Sequence, residues 1–347
     1  DEVMSESFAA SGPEMTLEKL IATANWQFAS GVTELLPMSF HYFQEFVPYK
    51  GRSKSFREDR FFDDPSFYAT YLGRLKMMLS GGQHVADVAL LVPETSIWAN
   101  YAPTGIGLSF KEYRKKNPVA SQIDDDFIAL SRELLQNQID FDYLDDEAFQ
   151  MAEIDNGKLR LAKETYSILV LPSSTTIRWT VAEKILEFWR SGGIVIAFGR
   201  LPNEAAEWGK DEAVRAIMAQ MFETRSAASE RKVSPIHVSK VEEVVEAIRR
   251  LWKVDLRLSR PDPNVQYIHK RKNGYDIYFL VNNEDAPKNL DVTFRCSGVP
   301  QIWNPRTGEI TDMRSLPSSE GTRPVSYTHL RAHETSLHLV CRLLLEK

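Results

Sequence analysis

Between Val85 and Phe198, short and almost wholly apolar runs alternate with helical patterns, and that alternation leaves few folds open. The runs are Val85 to Val92 before Pro93, Ile139 to Tyr143, Ile168 to Leu171 before Pro172, and Ile194 to Phe198 after the Gly192-Gly193 pair. A strand that is apolar on both faces must be covered on both faces, which helices between parallel strands achieve. The segments Asp124 to Gln136 and Thr180 to Arg190 have helical spacing, the first with an acid-rich opening turn. The pattern predicts a flavodoxin-like, doubly wound α/β domain with a helical extension over residues 83–252. A dinucleotide sheet is disfavoured, since no G-x-G-x-x-G follows the first strand and no G-x-x-x-x-G-K-[ST] occurs. Gly192 and Gly193 have a backbone role, ending a helix.

Upstream, the short apolar run Val3-Met4 breaks at Glu6 into a small-residue loop, Ser7 to Gly12. Thr16 is a good N-cap, and Leu17, Leu20, Ile21, Ala24 and Phe28 follow at helical spacing up to Gly31. Val32 to Pro37 is a second strand, opening into Ser39, Phe40, His41 and Tyr42; a second helix runs from Pro65 to Ser80. Strand, helix, strand, helix is the repeat of a parallel barrel, so residues 1–82 are expected to be the last strands and helices of a (β/α)8 barrel that begins ahead of Asp1. Such barrels display catalytic groups at strand C-termini. Glu6 is therefore the candidate catalytic residue, and His41 and Tyr42, on the same rim, are candidates for binding substrate. The plainer alternatives are a Glu6 that binds an arginine or caps a loop, and an ordinary hydrogen-bonded aromatic cluster at His41. Trp26 is expected in the core. The charged, aromatic loop Arg52 to Asp64 is a candidate cleft wall. A triad of Ser5, His41 and Asp64 lacks the supporting G-x-S-x-G elbow.

From residue 253 the period falls to two. Val265 to His269 and Tyr275 to Val281 flank Asn273-Gly274, a strong hairpin signal, and Leu290 to Phe294 and Pro300 to Trp303 follow. Residues 253–324 are thus expected to start a β-sandwich. Val325 to Thr335 reads like the conceptual translation of a sequencing-library adapter, and Leu339 to Lys347 like the flow-cell primer that follows one. Residues 325–347 are accordingly set aside as a non-native tail, with no expected part in stability or function.

The net charge is −6, which argues against nonspecific nucleic-acid binding. No apolar run approaches the roughly 18 residues of a membrane span. With Cys341 in the tail, only Cys296 remains, so neither an internal disulfide nor a cysteine zinc site is expected. Asp124 to Asp126 and Asp145 to Glu147 resemble metal clusters, but each begins a predicted helix, where exposed amides stabilise carboxylates.

With these residues in place, the chain resembles the α-L-rhamnosidases of glycoside hydrolase family 106. The matching stretches are Ser5 to Phe8, Thr16 to Val32, Phe40-His41-Tyr42, Val85 to Pro93, Phe141 to Asp145, Ser191 to Pro202 and Tyr275 to Asn282. Their shared order counts for more than any one of them. The resemblance implies an inverting glycosidase acting on a rhamnose-containing carbohydrate, with two catalytic carboxylates on a barrel, a calcium ion that helps hold the rhamnose hydroxyls, and appended α/β and β-sandwich domains. Glu6 matches the general base after the penultimate barrel strand. The general acid is expected on an earlier strand, ahead of Asp1, so residues 1–347 alone are expected to be inactive. The resemblance also implies a periplasmic or extracellular parent protein. Two alternatives stay open: a retaining β-galactosidase-like hydrolase with Glu6 as nucleophile, and a noncatalytic carbohydrate-binding protein.

Overall fold

The computed structural model describes residues 2–8, 16–37, 65–103, 109–223, 233–284, 286–313, 315–318, 321–324, 328–330 and 337–342. They form two compact units, residues 1–85 with 256–347, and residues 86–255.

In the first unit, β1 (Met4–Ser7), α1 (Leu17–Ala29) and β2 (Glu34–Pro37) make a strand–helix–strand unit whose strands pair in parallel, Glu6 opposite Leu36. The Thr16 side chain accepts from the Lys19 amide at 3.3 Å and so starts α1. That helix buries Leu20, Ile21, Ala24 and Phe28. Trp26 is a correction to the sequence reading: it projects off the buried stripe and is 52% exposed. On α2 (Pro65–Leu79), Tyr68, Tyr71, Leu75 and Leu79 are buried, and the Tyr71 hydroxyl donates to the buried Asn25 Oδ1 at 2.7 Å. The apolar run from Val85 is divided rather than one strand. Gln83–His84 (β3) pairs antiparallel with Lys270 and Arg271, and the Val85 amide donates to the His269 carbonyl at 3.0 Å. Only Val88–Leu91 (β4) enters the parallel sheet.

In the second unit β4 is followed by α3 (Glu94–Ala99), α4 (Phe110–Lys116), α5 (Pro118–Gln136), β5 (Phe141–Leu144) and α6 (Asp146–Met151). A small antiparallel meander comes next, β6 (Glu153–Asp155), β7 (Lys158–Leu161) and β8 (Glu164–Tyr166). Then come β9 (Ile168–Leu171), β10 (Thr176–Ile177), α7 (Trp179–Arg190), β11 (Ile194–Phe198), β12 (Glu204–Ala205), α8 (Asp211–Phe222), β13 (Ile236–Val238) and α9 (Val241–Leu251). The five-stranded parallel sheet runs β13-β11-β9-β4-β5. Numbered within the sheet by chain order and read from the β5 edge, that is 2-1-3-4-5, the order of flavodoxin-type sheets. Alternate residues serve opposite faces: Val88, Leu90, Val170 and Ile196 pack with α5 and α9, while Ala89, Leu169, Leu171 and Val195 pack with α7 and α8. The acid-rich first turn expected at Asp124 is not there. The helix starts six residues earlier at Pro118, a natural first helical residue, which leaves Asp124 to Asp126 in its interior.

The chain then returns to the first unit with β14 (Leu256–Leu258), β15 (Val265–Lys272), β16 (Tyr275–Asn282), β17 (Lys288–Leu290), β18 (Val292–Phe294), β19 (Val299–Trp303) and β20 (Ile310–Asp312). Asn273 and Gly274, at φ 53° and 79°, turn the β15–β16 hairpin. Val265, Tyr267, Tyr278 and Leu280 face a second sheet through Leu256, Val292 and Phe294. From the opposite face, Ile268, Ile277, Phe279 and Val281 pack with Leu20, Phe28, Tyr71 and Leu75 of α1 and α2. The sandwich strands and the first two helices thus share one core, where the sequence suggested separate domains.

The remaining strands are β21 (Ser315–Ser318), β22 (Gly321–Pro324), β23 (Thr328–Leu330) and β24 (Leu337–Arg342). β24 lies between β16 and β19 in the larger sheet, and β23 pairs with β17. The segment set aside from the sequence, expected to have no part in stability or function, therefore occupies a strand position. The physical reason is that main-chain hydrogen bonds hold a strand whatever the origin of its side chains.

Candidate active site

Among the described residues three carboxylates lie on or beside the paired strands β1 and β2, and the structure treats them differently. Lys76 on α2 lies 3.0 Å from Glu34 and 3.7 Å from Glu2, so both are neutralised near the start of the strands. Glu6 stands at the C-terminal end of β1, exposed, and has no partner among the described residues. Its strand is locked at both ends. The Val3 amide donates to Thr33 Oγ1 at 2.9 Å, and Thr33 and Glu34 amides return bonds to the Val3 carbonyl. At the other end the buried Ser7 hydroxyl donates to Gln27 Oε1 at 2.9 Å, fixing the strand to α1. A solvated carboxylate on an anchored strand end can accept a proton from water.

His41, Tyr42 and the loop Arg52 to Asp64 lie outside the described residues, as do two members of the Ser5, His41, Asp64 triad. The structure therefore places Glu6 and Ser5 alone among the residues singled out on this rim.

The C-terminal edge of the parallel sheet in the other unit is filled by its own polar side chains. Buried Ser96 accepts from the Thr175 and Thr176 amides at 2.6 and 3.1 Å. Asn100 Nδ2 donates to Thr175 Oγ1 at 2.7 Å. This is the switch point where flavodoxin-type sheets take ligands. Here the hydroxyls of Ser96 and Thr175 bond to each other, 3.1 Å apart. No motif marks these residues; their only signal is their place after strands that end in Pro93 and Pro172. Beside them, Asp145 caps α6 by accepting from the Ala148 amide at 2.7 Å. Asp146 is 2% exposed, takes a bond from Thr95 and lies 3.3 Å from Arg178. Burial pushes its carboxyl above its ordinary value, against the pull of Thr95 and Arg178. Within α4 and α5, Arg114 pairs with Asp125 and Gln122 bonds Asp126. None of these sets fits a calcium ion: among the described residues no three His, Cys, Asp or Glu side chains converge on a common point. Also among the described residues, no helix is long and apolar enough to cross a membrane.

The sequence profile of glycoside hydrolase family 106, α-L-rhamnosidase, matches residues 120–315. The chain belongs to that family. The rhamnosidase of Novosphingobium sp. PP1Y has a similar structure, with a TM-score of 0.71 at 18% identity over 99% of this chain and 32% of its own length. A β-galactosidase of Rahnella sp. R3 gives a TM-score of 0.62 at 13% identity, covering 98% of this chain and 55% of its own. At these identities both show the fold alone. A protein of Formosa agariphila, provisionally named a β-glucuronidase, is 22% identical over 247 residues, 70% of this chain and 18% of that protein. This family 106 chain thus spans about a third of the rhamnosidase, and less of the Formosa protein.

Proposed function

We propose that the enzyme containing this chain hydrolyses terminal α-L-rhamnosides with inversion, and that Glu6 is the general base that takes the proton of the attacking water. Family membership supports the rhamnosidase reading. The observation that carries the assignment of Glu6 is that it alone, of the carboxylates on the β1–β2 unit, stands at the C-terminal end of a strand with no neutralising cation among the described residues. Glu34 and Glu2, held by Lys76, lack both features. Inversion needs a second, protonated carboxyl roughly 6.5 to 9.5 Å away, with room for water between them. That acid is assigned to another strand of the barrel rim. His41 and Tyr42 are proposed to contact the sugar on the same rim.

The test is Glu6→Gln in an enzyme of full rhamnosidase length. The amide keeps the shape but cannot take a proton, so turnover of an aryl α-L-rhamnoside should fall on the order of 10² to 10⁴ while rhamnose binding persists. Unchanged turnover would leave Glu6 a structural role. The likeness to β-galactosidases favours a second reading, a retaining enzyme with Glu6 as nucleophile. NMR of the first-formed sugar separates the two, since β-L-rhamnose from an α-rhamnoside means inversion and α-L-rhamnose means retention.

A further inference from the structure

Against α2, the turn between β19 and β20 encloses a half-open cavity of about 140 Å³, walled by Met77, Trp303 and Ile310 and edged by Arg74, Asn304 and Glu309. We propose that it is a noncatalytic binding site for one pyranose ring of the 6-deoxyhexose class, L-rhamnose in this enzyme. The pocket is built before any ligand arrives. Arg74 Nη1 donates to the carbonyls of Pro305 and Arg306 at 2.9 and 2.8 Å, which clamps the turn to the helix. Asn304 Oδ1 accepts the Arg306 and Thr307 amides at 2.9 and 3.3 Å and shapes the turn from within. At Gly308, φ 77°, a Cβ would sit 2.7 Å from Arg74 Nη2, so the backbone rests directly on the guanidinium. The indole N–H of Trp303 donates to Gln301 Oε1 at 3.3 Å, which fixes the ring. Such preorganisation lowers the cost of capturing a small ligand.

What the clamp leaves over is chemically specific. Gly308 covers Arg74 Nη2, whereas Asn304 Nδ2 and the Glu309 carboxylate have no partner among the described residues. The lining is mostly indole, thioether and alkyl, with Asn304 and Glu309 adding a smaller polar share beside Arg74. A pyranose has the matching division, a face of C–H groups and an edge of hydroxyls, and aromatic walls commonly receive such faces. The volume is close to that of the engineered cavity of about 150 Å³ that takes benzene, so one six-membered ring enters it while the ring substituents reach out through the open side. Met77 and Ile310 are 58% and 51% exposed, apolar surface that a sugar methyl would cover. Burying that one methyl is worth about fourfold in affinity, which favours a 6-deoxy sugar over its hydroxymethyl counterpart.

The choice of rhamnose rests on the rhamnosidase reading, and the experiment keeps the two apart. Methyl α-L-rhamnopyranoside is titrated into the 347-residue chain and followed by saturation-transfer NMR and tryptophan fluorescence. The expected dissociation constant is on the order of 1 mM. Met77→Gln, Ile310→Thr and Glu309→Ala, all at exposed positions, should each weaken it about fivefold or more with little change in the thermal unfolding midpoint. Methyl α-L-mannopyranoside, with a hydroxymethyl for the methyl, should bind several-fold more weakly. The proposal is overturned by undetectable binding, by affinity that the three pocket variants leave intact, or by equal binding of the mannoside. Binding that all three pocket variants leave intact, with rhamnoside turnover still present in an enzyme of full rhamnosidase length, would sink this proposal and spare the rhamnosidase reading.

Discussion

His269 Nε2 lies 3.0 Å from Asp276 Oδ1 inside the β15–β16 hairpin, and Arg271 Nε reaches the same oxygen at 3.0 Å. The imidazole and carboxylate are almost fully buried, and the imidazole stacks on Tyr278 with ring centres 3.9 Å apart. Burial pushes the Asp276 carboxyl up, but the hydrogen bond from His269 and the charges of His269 and Arg271 outweigh it and hold the carboxyl below its ordinary value. A depressed carboxylate contributes stability that is present above its unfolded value, about 3.9, and lost as pH falls through the folded value. Unfolding free energy from urea titrations should therefore be level in this respect above about pH 5 and fall below about pH 4. Asp276→Asn should flatten that acid limb and cost about 2 kcal/mol or more at neutral pH, since it weakens a buried charged network. An acid limb equally steep in wild type and variant would remove Asp276 from the account.

Ser96 has one hydroxyl oxygen facing two amides and a second hydroxyl, all buried. Replacing it by alanine leaves the Thr175 and Thr176 amides without that acceptor in a place closed to solvent. The expected cost is about 1 to 3 kcal/mol in the parallel-sheet unit, read by urea unfolding. A change within 0.5 kcal/mol would mean that water enters the switch point and takes over the bonds.

Gly193 tests packing rather than conformation. Gly192, at φ 106°, supplies the left-handed turn that ends α7, while a Cβ on Gly193 would lie 2.3 Å from the ring of Phe188. Phe188 is fully buried, so neither group has space to retreat. Gly193→Ala should cost about 1 to 3 kcal/mol by overpacking, and adding Phe188→Leu should recover part of the loss in a double-mutant cycle. Additive losses would show that the ring does not set the requirement.

Elements whose whole pattern is local were the legible ones. β9 and β11 announce themselves because both of their faces are apolar, and α9 because Val244, Val245 and Ile248 recur at helical spacing. The two-residue strands at Thr176 and Glu204 carry no such signal; they form through tertiary pairing. Leu75 and Phe279 share a core across some two hundred intervening positions, and no local period reports that partnership. At the candidate site, Glu6 could be placed because a strand visibly breaks into a loop after it. That Lys76 would neutralise Glu34 and Glu2 instead was hidden, since the lysine comes from a different helix.

The strand Leu337–Arg342 gives the final test. β19 pairs with β24 and β20, and β24 with β16, so β24 is what ties the β19–β20 hairpin into the larger sheet. Ending the chain at Pro324 would leave the main-chain groups of Tyr275 to Leu280 facing an open edge and untether that hairpin. The thermal unfolding midpoint should then fall by several degrees, given roughly 2 to 4 °C per kcal/mol for a unit of this size. Val340→Pro keeps the length but removes a ladder donor from an interior strand, and it should act in the same direction. Trp303 ends β19, so both changes should also loosen the pocket beside Arg74 and weaken rhamnoside binding there. Unchanged midpoints in both variants would show that the segment adds nothing to the sheet, as its adapter-like sequence first suggested.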